Sequence, residues 1–197
     1  MNRGDMTRRL YVARHGETDW NVEGRWQGRT DVPLNDRGRA QALALAERLR
    51  GERIASVASS DLSRARETAQ IVASALGAPF AYADEGLRER GFGIFEGLTR
   101  AECAERHPEE WRVWSTDARI APSGAETYEA LAARVVASIH RALDELAGPA
   151  LVVTHGGSLR ALLRTVNGAV SEPIPNGAVY VVTHDGARFL GASLIED

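Results

Sequence analysis

Ala150, Leu151, Val152, Val153 and Thr154 form a run with no charged residue and no polar alternation, and the run stops at His155 with a helical pattern directly behind it. A strand-length run of this kind has to be buried on both faces, which a sheet achieves when helices cover both of its sides, and such sheets are built mainly from parallel strands. The stretch Arg9 to Ala13, with Leu10, Tyr11 and Val12, repeats the arrangement and leads into Arg14 and His15. Between the two, Asp36 to Arg50 places Ala42, Leu45, Ala46 and Leu49 on one helical face, with Asn35 positioned to cap the start and Gly51 just past the end. Short strands are expected over Ser56 to Ala58 and Phe80 to Ala83, and a helix over Ser63 to Leu76 that Gly77 and Pro79 stop. Glu85 to Gly97 reads as a glycine-rich loop and Thr99 to Trp114 as locally helical. A long helix carries Leu131, Val135, Ile139, Leu143 and Leu146, and another follows His155 through Leu159, Leu162 and Leu163. Asp185 and Gly186 between Ala178 to Thr183 and Arg188 to Ala192 signal an antiparallel hairpin. The expected fold is therefore α/β: a three-layer sandwich with a mainly parallel sheet flanked by helices and an antiparallel edge hairpin near the C-terminus.

At 197 residues the chain has the size of one domain. Residues 1–8 read as a flexible polar tail and residues 9–197 as a single domain, with a lid or specificity insert near residues 91–121. A formal net charge of -3, with arginines scattered among carboxylates, argues against nucleic acid. No stretch approaches the roughly 18 apolar residues of a membrane span. The single cysteine, Cys103, excludes an intramolecular disulfide and reads as a packed side chain. With no apolar leader at the N-terminus, the cytoplasm is the expected compartment. Arg3, Gly4 and Asp5 spell an adhesion triplet that carries no weight in such a tail.

Ligands of an open α/β sheet bind beyond the carboxyl ends of its strands, where helix N-termini present unpaired N–H groups to anions. His15 and His155 both fall at such ends, so they can share one crevice although 140 positions separate them. His107, His140 and His184 lack companions at useful spacing and read as surface or packing residues. No cluster has metal-ligand spacing.

Arg14, His15, Gly16, Glu17 and Thr18 spell RHGET, the signature of the histidine phosphatases and cofactor-dependent phosphoglycerate mutases. Four further blocks follow in order. Asn21, Arg25, Gln27, Gly28, Asp31, Pro33 and Leu34 resemble the family's next stretch, and Ser60, Asp61, Leu62, Arg64, Ala65, Thr68 and Ala69 resemble its S-D-L-x-R-A-x-x-T-A segment. Glu89 stands in a Leu-Arg-Glu run with Gly93, Glu96 and Gly97 behind it, and His155, Gly156 and Gly157 match an H-G-G motif. The resemblance to the histidine phosphatase superfamily, in its phosphatase branch, covers most of the chain. It implies hydrolysis of small phosphomonoesters through a phosphohistidine on His15, with Arg14, Arg64 and His155 clamping the phosphoryl oxygens and Glu89 as proton donor. Asn21, Gln27 and Gly156 would bind substrate. No cofactor and no metal are expected, because the arginines supply the charge stabilisation. The implied partner is a small phosphorylated metabolite, without nucleic acid or membrane; a homodimer is left open.

Two departures stand out. Asn35 replaces the usual threonine, and both cap helices. Pro122 to Thr127 carries one residue more than the family's P-x-G-E-S turn, with threonine for serine, so the contacts of that turn are not carried over from the resemblance. The insert is shorter than in phosphoglycerate mutases and lacks their L-N-E-R-H-Y-G segment, which favours the phosphatase over the alternative, a cofactor-dependent phosphoglycerate mutase. For the leaving group, Phe92, Trp111 and Trp114 could form an aromatic lid, whereas Arg90, Arg106, Arg112 and Arg119 could receive a carboxylate.

Overall fold

The computed structural model describes residues 7–168, 170 and 173–196. Six strands form one sheet: β1 (Arg8–Arg14), β2 (Ser56–Ser60), β3 (Phe80–Asp84), β4 (Ala150–Thr154), β5 (Val179–His184) and β6 (Phe189–Leu194), in the order β3-β2-β4-β1-β5-β6. β3, β2, β4 and β1 run parallel, and β5 and β6 complete the sheet as an antiparallel hairpin. Of the tail expected over residues 1–8, residues 1–6, with the Arg3-Gly4-Asp5 triplet, lie outside the described residues, while Arg8 already belongs to β1 and pairs with His184.

The pleat sends alternate residues of the central strands to two separate cores. Leu10, Val12, Ala150 and Val152 pack under α6 (Tyr128–Glu145) and α7 (Gly156–Asn167), in contact with Leu131, Val135, Ile139, Leu159 and Leu162. Tyr11, Ala13, Leu151 and Val153 pack under α2 (Asp36–Leu49) and α3 (Ser63–Leu76), against Leu45, Leu49, Ala65, Ala69 and Val72. These are the three layers that an unbroken apolar β4 demands.

Local signals place most boundaries. Asn35 caps α2 by accepting from the Gly38 N–H, and Gly77 ends α3 in the left-handed region at φ 67°. The end of α2 differs from expectation: a 3-10 turn continues over Arg50–Glu52, and Arg53, not Gly51, turns the chain at φ 53°. The helical stretch expected from Thr99 to Trp114 is two helices, α4 (Arg100–Arg106) and α5 (Pro108–Thr116), because Pro108 cannot donate to α4 and forces His107 out of the helix at ψ 57°. The loop over Glu85 to Gly97 contains two 3-10 turns, Glu85–Leu87 and Gly93–Phe95.

The insert carries a small core of its own, in which Phe95, Cys103 and Trp114 are buried with Phe92, against Trp26, Leu98 and Trp111. It is tied to the neighbouring loops by isolated bridges from Thr99 to Arg25, Glu96 to Trp26 and Phe92 to Ala125. Between α6 and the β5–β6 hairpin His140, His184 and Phe189 stack ring against ring, so His140 and His184 are packing residues. Among the described residues no helix is long and apolar enough to cross a membrane.

Candidate active site

Parallel register is what brings the two distant histidines together. Arg14 of β1 lies beside Thr154 of β4, so the next residue of each strand, His15 and His155, emerges from the same edge of the sheet. The His15 N–H donates to the Thr154 carbonyl at 2.9 Å, and the two rings meet edge to face with centroids 5.1 Å apart. α3 leaves the adjacent strand β2 and delivers Arg64 at its second position, fully buried.

The turn after His15 allows no side chain. A Cβ on Gly16 would stand 2.3 Å from the carbonyl oxygen of Gly38, so α2 packs directly onto the backbone there. The Gly16 N–H donates to Thr68 Oγ1 of α3, which fixes the same turn from a second helix. Its carbonyl receives the Nδ1–H of His15 at 2.6 Å. That bond selects the tautomer and leaves Nε2 as a lone pair. Burial, and then the charges of Arg64 and Arg14, hold His15 well below the usual imidazole range, so the ring stays neutral. His155 is depressed for the same reasons, burial first and Arg64 next.

Both arginines are anchored through backbone carbonyls. Arg64 donates Nη1 to Thr30 at 2.9 Å and Nη2 to Gly28 at 2.8 Å, and Arg14 donates Nη1 to Ile174 at 2.5 Å. Among the described residues neither pairs with a carboxylate, so their charge is directed at the crevice and each keeps an unpartnered Nε. Burial pushes Arg64 down to about 10, still charged at neutral pH.

Glu89 arrives on the loop after β3, and both of its oxygens are engaged: Oε2 accepts from the Gly157 N–H at 2.8 Å and Oε1 from the Arg90 N–H at 2.7 Å. A Cβ on Gly157 would lie 2.3 Å from Glu89 Oε1, so a larger residue there would push the carboxylate aside. The neighbouring charges behave as ordinary surface pairs, Arg88 with Asp61 and Glu85, but Glu89 is aimed into the crevice.

Arg14, His15, Asn21, Gln27, Arg64, Glu89 and Gly156 all line one crevice of about 590 Å³, with the His155 ring packed against His15. Asn21 Oδ1 is occupied by the Thr18 N–H in a capping box and by Asn176. Glu17 is turned away, accepting from Asn35 and facing Arg37. Of the four arginines read as carboxylate receptors, only Arg90 lines the crevice; Arg106, Arg112 and Arg119 are solvent-facing and pair with Glu102, Glu109 and Asp117. Among the described residues no three His, Cys, Asp or Glu side chains group as metal ligands would.

Three residues escaped the sequence reading. Asn176 donates Nδ2 to the carbonyls of His15 and Gly16, bracing the turn after β1; its only signal is a turn ahead of β5. Arg160, one turn into α7, also lines the crevice. Arg134 of α6 donates to the carbonyls of Gly86, Arg88 and Glu89 and pairs with Glu126 through two bonds of 2.7 Å. Glu126 comes from the turn with the extra residue, so that turn supports the Glu89 loop through Arg134. Arg134→Lys removes the fork that makes these bonds at once, and is expected to cost about 2–4 kcal/mol in denaturant unfolding. A displacement of Glu89 by ~1 Å lowers kcat about 100-fold.

The two depressed histidines set a pH dependence of stability. In the unfolded chain each titrates near ~6.5, and in the folded chain well below it. Below that pH the unfolded state binds more protons, so stability is lost as pH falls, by up to about 1.4 kcal/mol per unit for each ring. Thermal melting between pH 7.5 and 5 should show this slope, and His155→Gln should remove about half of it.

Comparison with known proteins gives a consistent picture. A "Metal-independent phosphoserine phosphatase" of Arabidopsis thaliana is 38% identical over 179 residues, covering 88% of this chain and 75% of that protein. "Phosphoglycerate mutase-like protein 4" of the same plant is 45% identical over 158 residues, 78% of this chain and 68% of that one. The structure of a mycobacterial glucosyl-3-phosphoglycerate phosphatase complexed with VO3 superposes with a TM-score of 0.80 at 32% identity, covering 95% of this chain and 96% of that one. The family model of the histidine phosphatase superfamily (branch 1) matches residues 10–194, and the chain belongs to that superfamily.

Proposed function

We propose that this protein is a phosphatase that hydrolyses small phosphomonoesters through a phosphohistidine on His15. The observation that carries the reading is a neutral imidazole whose Nδ1–H is held by the Gly16 carbonyl, leaving the Nε2 lone pair in a crevice lined by two carbonyl-anchored guanidinium groups. In the first step His15 Nε2 attacks phosphorus in line: the N–P bond forms, the bond to the ester oxygen breaks, and Glu89 gives that oxygen a proton. The planar phosphoryl group carries its charge on three equatorial oxygens, and Arg14, Arg64, His155 and the α7 N–H group at Gly156 are the donors that receive them, while the Gly157 N–H stays with Glu89. In the second step Glu89, now a carboxylate, takes a proton from water as the water oxygen attacks phosphorus and the P–N bond breaks. Phosphate leaves and both residues return to their starting forms. Asn21, through its amide N–H group, and Gln27 bind on the phosphate side.

The domain reading is of one piece with this: a single catalytic domain in which the segment near residues 91–121 determines the leaving group, acting in the cytoplasm on a small phosphorylated metabolite. The relatives named as phosphatases support hydrolysis; the relative named mutase-like supports a second reading, in which the phosphoenzyme passes its phosphoryl group to another hydroxyl of a phosphoglycerate. The test is phosphoenzyme trapping. A radiolabelled ester, quenched in alkali, should leave acid-labile label on the wild-type chain and none on His15→Ala, with inorganic phosphate as the product in the presence of a chelator. Interconversion of 3- and 2-phosphoglycerate, stimulated by 2,3-bisphosphoglycerate without phosphate release, would favour the mutase.

A further inference from the structure

The tautomer of His15 depends on one peptide group. Gly16 contributes its carbonyl and Glu17 its N–H, and in a trans peptide the two point in opposite directions. The carbonyl end accepts the Nδ1–H of His15 at 2.6 Å and Asn176 Nδ2 at 3.2 Å. The N–H end donates to Gln41 Oε1, in the second turn of α2, at 2.8 Å. Gln41 therefore holds the end of the peptide that faces away from the imidazole.

The residue before this peptide makes such a hold necessary. Gly38 packs against the position that a Cβ on Gly16 would fill, so Gly16 is glycine for reasons of space. Glycine lacks the side-chain clashes that restrict backbone rotation, so the Gly16–Glu17 peptide turns over more easily than one between two larger residues. The groups around it are pinned without Gln41. The Gly16 N–H donates to Thr68 Oγ1, the His15 carbonyl accepts from Asn176 Nδ2 and the Gly177 N–H, and the Glu17 carbonyl accepts from the Asn35 N–H. Only the bond to Gln41 engages the N–H of the Gly16–Glu17 peptide among the described residues. If that peptide turned over, its N–H would face Nδ1 of His15. Nδ1 would then accept, and the single proton of the neutral ring would sit on Nε2, leaving no lone pair there for phosphorus.

We propose that Gln41 is a positioning residue for the reaction: by accepting the Glu17 N–H it keeps the Gly16 carbonyl turned toward His15, and so keeps Nε2 unprotonated. The role rests on the reading of His15 as nucleophile and extends it to the side chain that sets its tautomer. Gln41 does not line the crevice; with Ala44, Arg48 and Asn176 it lines a separate depression of about 440 Å³. It reaches the substrate only through the ring, so its loss acts on the chemical step and leaves substrate binding alone.

Gln41→Met, which keeps the length of the side chain and removes the acceptor, tests this. Two-bond proton–nitrogen NMR correlations at neutral pH report which ring nitrogen of His15 carries hydrogen, with His15→Ala identifying the signals. In the wild type that nitrogen is Nδ1. In Gln41→Met the hydrogen should move predominantly to Nε2, and kcat should fall about tenfold with KM unchanged, as it does when about nine in ten rings are in the inactive tautomer. Gln41→Glu keeps an acceptor oxygen at the same reach and should restore both the wild-type spectrum and most of kcat. Thermal melting reports whether each variant is folded, and Gln41→Ala takes the place of Gln41→Met if the thioether does not fit. A folded variant without the acceptor that kept Nε2 unprotonated, or kept its full kcat, would overturn the role of Gln41, as would a loss that Gln41→Glu does not restore. The spectra need no substrate, so the two readings fail separately. Wild-type phosphate release by His15→Ala removes the phosphohistidine, whereas a lowered kcat in Gln41→Met with the wild-type spectrum removes the positioning role alone.

Discussion

His15→Ala is expected to lower kcat by about 10⁴-fold or more on every ester, with the fold intact. No neighbour can take over the attack. The His155 ring lies edge-on to His15, and it has no bond to a backbone carbonyl that would fix its tautomer as the Gly16 carbonyl fixes His15. The loss should be the same for aryl and alkyl esters, because the nucleophile is needed whatever group leaves. Steady-state phosphate release measured beside a melting curve checks this, and a His15→Ala protein that retained a tenth of the wild-type rate would remove His15 from the mechanism. The pH profile gives the same assignment from another side. Since burial holds His15 neutral well below the usual range, kcat/KM should not fall between pH 7.5 and 6 as it would for a solvent-exposed imidazole nucleophile.

Glu89→Gln separates the two steps. An alkyl ester leaves as a strongly basic alkoxide and needs its proton in the transition state, so its kcat should fall about 10²–10⁴-fold. p-Nitrophenolate leaves without help, so the first step survives on p-nitrophenyl phosphate, while the second, which needs Glu89 as base, slows. The outcome is a burst of about one nitrophenolate per active site followed by slow turnover, with phosphoenzyme accumulating. Equal losses on both esters, with no burst, would mean that Glu89 shapes the crevice and does not move protons. Arg134→Lys should resemble a mild Glu89→Gln, losing more on alkyl than on aryl esters, because it acts on the chemistry through the position of the Glu89 backbone.

Legibility in the sequence followed the range of the forces involved. The helix from Ser63 to Leu76 and the strand from Ala150 to Thr154 occur at the residues expected, since their periodicity and stop signals are local. The Asn35 cap was legible for the same reason. Gly51 was misread because glycine permits a left-handed turn without requiring one, and a 3-10 turn absorbed it. Motifs single out the residues that gather at the crevice, but not the contacts that hold them there. Arg134 sits at the margin of an amphipathic helix, where an arginine is unremarked, and its three carbonyl acceptors lie more than forty residues upstream. The choice among arginines failed likewise, because Arg106, Arg112 and Arg119 are placed by exposed helix faces and adjacent carboxylates that composition does not reveal.

The alignment of β1 with β4 does more than bring two rings side by side. The spacing of His15 and His155 is set by the ladder of backbone bonds at the centre of the sheet, and the bond from His15 to Thr154 is its continuation. Those are the last bonds a sheet of this kind gives up on heating, since they are covered on both sides by helices. The histidine pair therefore has no melting point of its own: it persists while the protein is folded and vanishes with it, and the heat tolerance of the crevice can be raised by any change that stabilises the whole chain.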